Sequence, residues 1–196
     1  MMQKLIIATH NKGKFNEFKK MFGDKYEVCS LPYNGYDEEV EETGTTYFEN
    51  ALLKARAVFE ATGELCIADD SGLSVTALNG EPGLYSARYG GEQTPQKVKN
   101  QMIIDRLSGF ADRSAKFDCT LVMYGKEGIV ATGNGEVLGE ILFGEEGEGG
   151  FGYDPIFYCN ELKKSFGVAS EEEKNSVSHR SRAIRDLTSK LQSSCK

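Results

Sequence analysis

The stretch Leu5–Phe18, "LIIATHNKGKFNEF", decides how the chain is to be folded. An apolar run from Leu5 to Ala8 ends abruptly in Thr9-His10-Asn11, and Lys12-Gly13-Lys14 follow. The run predicts a strand over Lys4–Ala8 with Ile6 and Ile7 inside. From Gly13 onward Phe15, Phe18 and Phe22 recur at i, i+3 and i+7, the spacing of a helix that stops near Gly23. A strand that passes through a polar loop into a helix can turn backbone N–H groups and the helix N-terminus toward one point, which suits an anion. Lys12 and Lys14 add charge there, while Thr9 and Asn11 can donate hydrogen bonds. The loop lacks G-x-x-x-x-G-K-[ST], so it is not a P-loop, and a plain connection has the same outline.

Working outward, "YEVCSL" (Tyr26–Leu31) reads as a second strand closed by the turn residues Pro32, Asn34 and Gly35. The acidic run "DEEVEETG" (Asp37–Gly44) precedes a helix with Thr45 or Thr46 as N-cap. Its Phe48, Ala51, Leu52, Ala55, Val58 and Phe59 share one face, and Gly63 stops it. "ELCIADDSG" predicts a buried strand ending in two aspartates, and Gln96–Gly109 a further helix. "AKFDCTLVMYG", "GIVATGNGEVLGEIL" and "PIFYC" predict strands of an extended sheet. The closing helix spans Ser178 to about Gln192, with Ala183, Ile184, Leu187 and Leu191 inward. Five glycines in the nine residues Gly144–Gly152 mark a loop rather than a linker, because strand-like sequence resumes at once. The mixed order of strands and helices argues for an α/β or α+β fold.

At 196 residues the chain is expected to be one domain with a substantial core. A net charge of -7 argues against bulk binding to nucleic acid or an anionic membrane, yet permits a small anion in a locally basic pocket. The cysteines, Cys29, Cys66, Cys119, Cys159 and Cys195, form no C-x-x-C pair and no metal-ligand spacing, so reduced and mostly buried thiols are expected. The short apolar run at the N-terminus does not make a signal peptide, and no stretch approaches the ~20 apolar residues of a membrane span. A cytoplasmic enzyme or binding protein is the expectation.

Four clusters can carry chemistry. Glu42 lies just upstream of a helix whose Asn50 and Lys54, four apart, share a face; together they could hold a metal and a polyphosphate, or form a solvated polar face. In "IADDSG" a strand delivers Asp69 and Asp70 to its C-terminal end, followed by Ser71. Adjacent residues of an extended chain point oppositely, so one aspartate can face a metal or water while the other braces the loop. Mg²⁺ takes one or two carboxylates plus substrate phosphates, so Glu42 with Asp70 would suffice. In "GGFGYDP", glycines allow close backbone approach to a flat ligand. Phe151 and Tyr153 there offer faces for a base; a hairpin with core aromatics is the competing view. Lastly, Lys174, in a loop or turn, precedes His179 and Arg180 at the start of the closing helix, a basic patch in an acidic chain.

Taken in order, "ATHNKGK", "ETGTTYFENALLKA", "ADDSGLSVTALNGEPGLYSARYGG", "GGFGYDPIF" and "EEKNSVSHRSRAI" resemble the inosine triphosphate pyrophosphatase family almost end to end. The resemblance implies an elongated, two-lobed α/β domain with a long twisted mixed β-sheet, flanking helices and a central substrate groove, usually homodimeric. It implies Mg²⁺-dependent hydrolysis of ITP, dITP and XTP to monophosphate and pyrophosphate. Thr9, His10, Asn11, Lys12, Gly13 and Lys14 would hold the triphosphate, helped by Asn50, Lys54 and Ser71. Glu42 and Asp70 would bind the metal, with Asp70 the proton acceptor for water and Asp69 beside it. Phe151, Gly152, Tyr153 and Asp154 would line the nucleoside pocket. Lys174, His179 and Arg180 would complete it, at the purine 6-keto edge. A buried donor facing O6 is satisfied by inosine and left unpaired by adenine, a difference of about 1–3 kcal/mol. The alternatives are another Mg²⁺-dependent nucleotide or sugar-phosphate hydrolase, and a non-catalytic nucleotide-binding regulator.

Overall fold

The computed structural model describes residues 2–193; Cys195 lies outside them. The fold is α/β, with a seven-stranded mixed sheet in the order β2-β1-β3-β4-β5-β6-β7. Strand β1 (Lys4–Ile7) pairs in parallel with β2 (Glu27–Ser30) on one side and with β3 (Cys66–Val75) on the other. An interior parallel strand is covered on both faces, which explains why Leu5, Ile6 and Ile7 form an unbroken apolar run and have no exposed surface. Helix α1 (Lys12–Phe22) follows, capped by Asn11, whose side chain accepts from the Lys14 N–H. Helix α2 (Tyr47–Thr62) opens with a capping box between Thr46 and Glu49 and closes at Gly63, whose φ of 71° suits glycine.

The expected strand end at the two aspartates is corrected. Strand β3 runs straight through Asp69, Asp70, Ser71 and Gly72 to Val75, so these residues lie mid-strand and not in a loop. The two aspartates can sit there because each is hydrogen-bonded or ion-paired on its own face. Helix α3 covers Gln96–Arg106, and β4 (Ser114–Gly125) and β5 (Gly128–Ile141) are joined by a two-residue turn. The segment expected to be one strand from Pro155 begins instead as a 3-10 turn over Asp154–Ile156, followed by β6 (Phe157–Cys159) and β7 (Lys164–Ser165). Lys174 sits within a short helix, α4 (Glu171–Val177), rather than a loop, because Ser170 and Glu173 make a second capping box. Ser178 ends α4 by donating its N–H to the Lys174 carbonyl, and α5 (His179–Ser193) begins directly after it.

The chain forms two compact units, each with its own core. The first comprises residues up to Asp70, Cys119–Gly135 and the chain from Arg180 onward; the second comprises Ser71–Asp118 and Glu136–His179. In the first unit, alternate residues of β1 and β3 face opposite ways. Leu5, Ile7 and Ile67 pack with Phe18 and Phe22 of α1 and Ala183 and Leu187 of α5. Ile6, Ala8, Cys66 and Ala68 pack with Ala51, Ala55 and Val58 of α2. The second unit buries Leu73, Ile103, Phe117, Val137, Ile156, Phe157 and Phe166 together, with Phe117 and Phe157 ring centroids 4.6 Å apart. Cys66, Cys119 and Cys159 are buried free thiols, and burial pushes Cys66 up to about 12.

Gly133 of β5 lets α5 lie against the strand. A Cβ there would stand 2.1 Å from the Ala183 carbonyl oxygen and 2.7 Å from Leu187 Cβ. Gly133→Ala is expected to cost about 1–3 kcal/mol through overpacking, read as a lowered urea midpoint with an unchanged slope.

Candidate active site

The face alternation of β3 sends its two aspartates to different partners. Asp69 follows the parity of Ile67 toward α1 and α5. There its Oδ2 lies 3.0 Å from Lys14 Nζ, and Arg180 donates to it at 2.9 Å from Nη2 and 3.2 Å from Nε. Arg180 also binds Glu17 at 2.5 Å through Nη1. Both Asp69 and Arg180 are 1% exposed. Burial alone would push the Asp69 carboxyl up, but Lys14, Arg180 and Lys54 outweigh it and hold it well below the usual carboxylate range.

Asp70 follows the parity of Ala68 toward α2. Its Oδ2 accepts a 3.0 Å bond from Asn50 Nδ2, and its Oδ1 lies 3.7 Å from Lys54 Nζ. Lys54 also donates to Glu42 Oε1 at 2.6 Å, so one ammonium bridges the two carboxylates. Burial raises the Asp70 pKa above the ordinary aspartate value, with Lys54 opposing and the neighbouring Glu42 charge adding to the rise. Two adjacent aspartates thus have pKa values moved in opposite directions, a pattern met where an acid–base function is built. Among the described residues no group of three or more His, Cys, Asp or Glu side chains converges as a metal site.

The residues expected to form a phosphate loop are partly engaged with one another. Thr9 Oγ1 accepts from the Asn11 N–H at 3.2 Å, and Asn11 caps the helix that starts at Lys12 and Gly13. His10 is exposed and its Nε2 lies 2.9 Å from Asp37 Oδ1. Asn50, read from sequence as part of the polyphosphate side, has no exposed surface; besides donating to Asp70 it accepts from the Gly44 N–H at 2.8 Å.

In the second unit Asp154 Oδ2 accepts from Lys174 Nζ at 2.7 Å and from the Phe151 N–H at 2.8 Å. Lys174 is buried and its ammonium stands 4.3 Å from the Phe151 ring centroid. His179 stacks on Phe117 at 4.7 Å with 14° between the rings. Tyr153, expected to offer a stacking face, is a core residue instead: it is buried among Leu73, Ile156 and Phe157 and donates its hydroxyl to the Ser86 carbonyl at 2.8 Å. The glycine loop is also explained mainly by packing. A Cβ at Gly147 or Gly149 would strike the Gly167 carbonyl at 2.1 or 2.8 Å, whereas Gly152, at φ 63°, faces open space.

The structure thus joins Lys14, Asp69 and Arg180, joins Glu42, Asn50, Lys54 and Asp70, and joins Phe151, Asp154 and Lys174. Glu17 and Gly44 were not singled out by their sequence context. Glu17 lies three residues after Lys14 on α1, the spacing of helical neighbours, and that was the available signal.

Fold and site define an α/β protein in which one central strand presents two carboxylates to opposite faces, each held against a lysine. The chain belongs to the Ham1 family, whose model matches residues 5–190. It is 45% identical over 191 residues to a dITP/XTP pyrophosphatase of Staphylococcus aureus (strain MW2), covering 97% of each chain. It is 43% identical over 195 residues to the dITP/XTP pyrophosphatase of Bacillus subtilis (strain 168), covering 98% of each. The Staphylococcus aureus Ham1 protein structure superposes with a TM-score of 0.87 at 44% identity, covering 98% of this chain and 100% of that one. A HAM1 protein from Coxiella burnetii gives 0.86 at 34% identity over the same shares.

Proposed function

We propose that this protein hydrolyses non-standard purine nucleoside triphosphates (dITP, XTP and ITP) to the monophosphate and pyrophosphate, removing them from the nucleotide pool. The observation that carries this reading is the Glu42–Lys54–Asp70 arrangement, in a chain matched nearly end to end by proteins named dITP/XTP pyrophosphatases. Asp70 is assigned as the acceptor of the proton of the attacking water, held by Asn50 and facing Lys54. Lys54 and Lys14, on opposite faces of β3, supply the positive charge that holds the polyphosphate, together with the N-terminus of α1. Attack falls between the α and β phosphates, so the first product besides the nucleotide is pyrophosphate.

The implied metal is Mg²⁺. Its fit can be judged from Glu42 and Asp70, which already converge on one positive charge at Lys54 Nζ, and two carboxylates plus substrate phosphates are a set that Mg²⁺ accepts. When bound it would neutralise phosphate charge and lower the pKa of water. Phe151, Gly152 and Asp154, with Lys174 and His179, are assigned to the nucleoside. Arg180 is assigned to holding Asp69, since it is buried and bonded to both Asp69 and Glu17. The proposal also places one domain in the cytoplasm as a homodimer, with no nucleic-acid or membrane partner. The free thiols and net charge of -7 accord with that, and no described helix is long and apolar enough to cross a membrane.

Incubation with ITP, dITP, XTP, ATP, GTP and dUTP, with and without Mg²⁺, tests the reading. Rapid Mg²⁺-dependent turnover of the first three is expected, with pyrophosphate released. Orthophosphate as the initial product, or equal rates on ATP, would refute it.

A further inference from the structure

Asn50 has a role that its polar side chain does not announce. It is fully buried at the end of the first turn of a helix, a place where an amide is costly unless both of its ends are bonded. Both are. Its Oδ1 accepts the Gly44 N–H at 2.8 Å and its Nδ2 donates to Asp70 Oδ2 at 3.0 Å. A backbone N–H can only donate, so the oxygen of the amide must face Gly44 and the nitrogen must face Asp70. No flipped amide satisfies both.

We propose that Asn50 is a positioning residue: it holds Oδ2 of Asp70 so that Oδ1 is the oxygen turned toward Lys54 and the reacting water, and through Gly44 it holds the loop bearing Glu42 at a set distance from Asp70. This inference rests on the proposed hydrolase activity. Three further observations support it. Gly44 lies two residues after Glu42, whose Oε1 meets the same Lys54 ammonium that faces Asp70 Oδ1. The loop is pinned again next door, where Glu49 Oε2 accepts from the Thr45 and Thr46 N–H groups at 2.6 and 3.1 Å. Gly44 has no room for a side chain: a Cβ would stand 2.6 Å from Asn50 Oδ1 and 2.6 Å from Glu49 Cβ. One amide therefore couples the positions of both carboxylates of the site.

The test uses the full chain, with Asn50→Ala and Asn50→Asp compared with the parent. Asn50→Asp keeps an acceptor for Gly44 but puts a second carboxylate against Asp70 in place of the donor. Both variants are expected to lose about a hundredfold in kcat on ITP with KM within threefold of the parent, as misplacement of a reacting group does. Amide hydrogen exchange at Gly44, read by NMR without substrate or metal, is expected to accelerate at least tenfold in Asn50→Ala and to stay near the parent rate in Asn50→Asp. A raised KM with kcat intact would show that Asn50 touches substrate and would overturn the proposal; so would unchanged kcat in Asn50→Asp, or unchanged Gly44 exchange in Asn50→Ala. If Asn50→Ala does not fold, the Asn50→Asp kinetics decide alone. A parent inactive on ITP, dITP and XTP would refute the proposed function, whereas the exchange experiment would still report whether Asn50 holds the loop.

Discussion

Asp70→Asn is expected to lower turnover of ITP by about 10²–10⁴-fold while making the protein melt at a higher temperature in metal-free buffer at neutral pH. The loss follows from removing the proposed proton acceptor. The gain follows from linkage: burial raises the Asp70 pKa, so the ionised carboxylate is disfavoured in the folded state. A group with a raised folded pKa contributes stability below its unfolded pKa and loses it as pH rises through the folded value. At neutral pH the parent therefore carries an unfavourable charge, which asparagine lacks. The stabilisation is expected to be full at neutral pH and to vanish below about pH 3.9, the ordinary aspartate value. A shift of a few degrees is the expected size, the usual scale when a strained functional group is relieved.

The identical change one residue earlier is expected to act in the opposite direction. Asp69→Asn removes the carboxylate that faces Lys14 and Arg180, leaving the buried guanidinium with Glu17. Breaking a buried ion pair by deleting one member costs about 3–5 kcal/mol, a fall in melting temperature on the order of 10 °C for a chain of this size. Here burial is outweighed by the nearby cations and the folded pKa is depressed. The stability Asp69 supplies is therefore present above about pH 3.9 and is lost as pH falls toward the folded value. The deficit of Asp69→Asn should stay constant from neutral pH down to about 4 and then shrink. Calorimetric melting of the parent and both variants across pH 3–8 checks the pair (a range chosen to bracket the ordinary aspartate value). Shifts of the same sign in the two variants at neutral pH would contradict this account of the strand.

Much of this was legible in the residues because it is local. The hydrophobic run before Thr9, the phenylalanine spacing of α1, the Thr46 cap and the Gly63 stop of α2 all depend on neighbours within a few positions, and each element formed within a residue or two of its expected bounds. The strand rule that consecutive side chains point oppositely correctly separated Asp69 from Asp70. Where local signals misled, a tertiary contact had overridden them. "DDSG" has the composition of a turn, yet it continues β3 because Lys14, Arg180, Asn50 and Lys54 satisfy its carboxylates from either side. Tyr153 stands among loop residues, yet the Ser86 carbonyl gives its hydroxyl a partner and so admits the ring to the core.

By itself, the sequence determined β1, α1 and α2, with the Thr46 cap and the Gly63 stop, and the set of residue types from which a site could be made. Those follow from backbone sterics and side-chain periodicity, which act over a few residues. Only the tertiary structure decided which of the charged groups meet, because Glu42, Lys54 and Asp70, like Glu17, Asp69 and Arg180, come from separate elements brought together by packing. It also decided the sign of each pKa shift. Asp69 and Asp70 are chemically the same and adjacent in the chain, and what distinguishes them is the number of cations that burial leaves within reach of each.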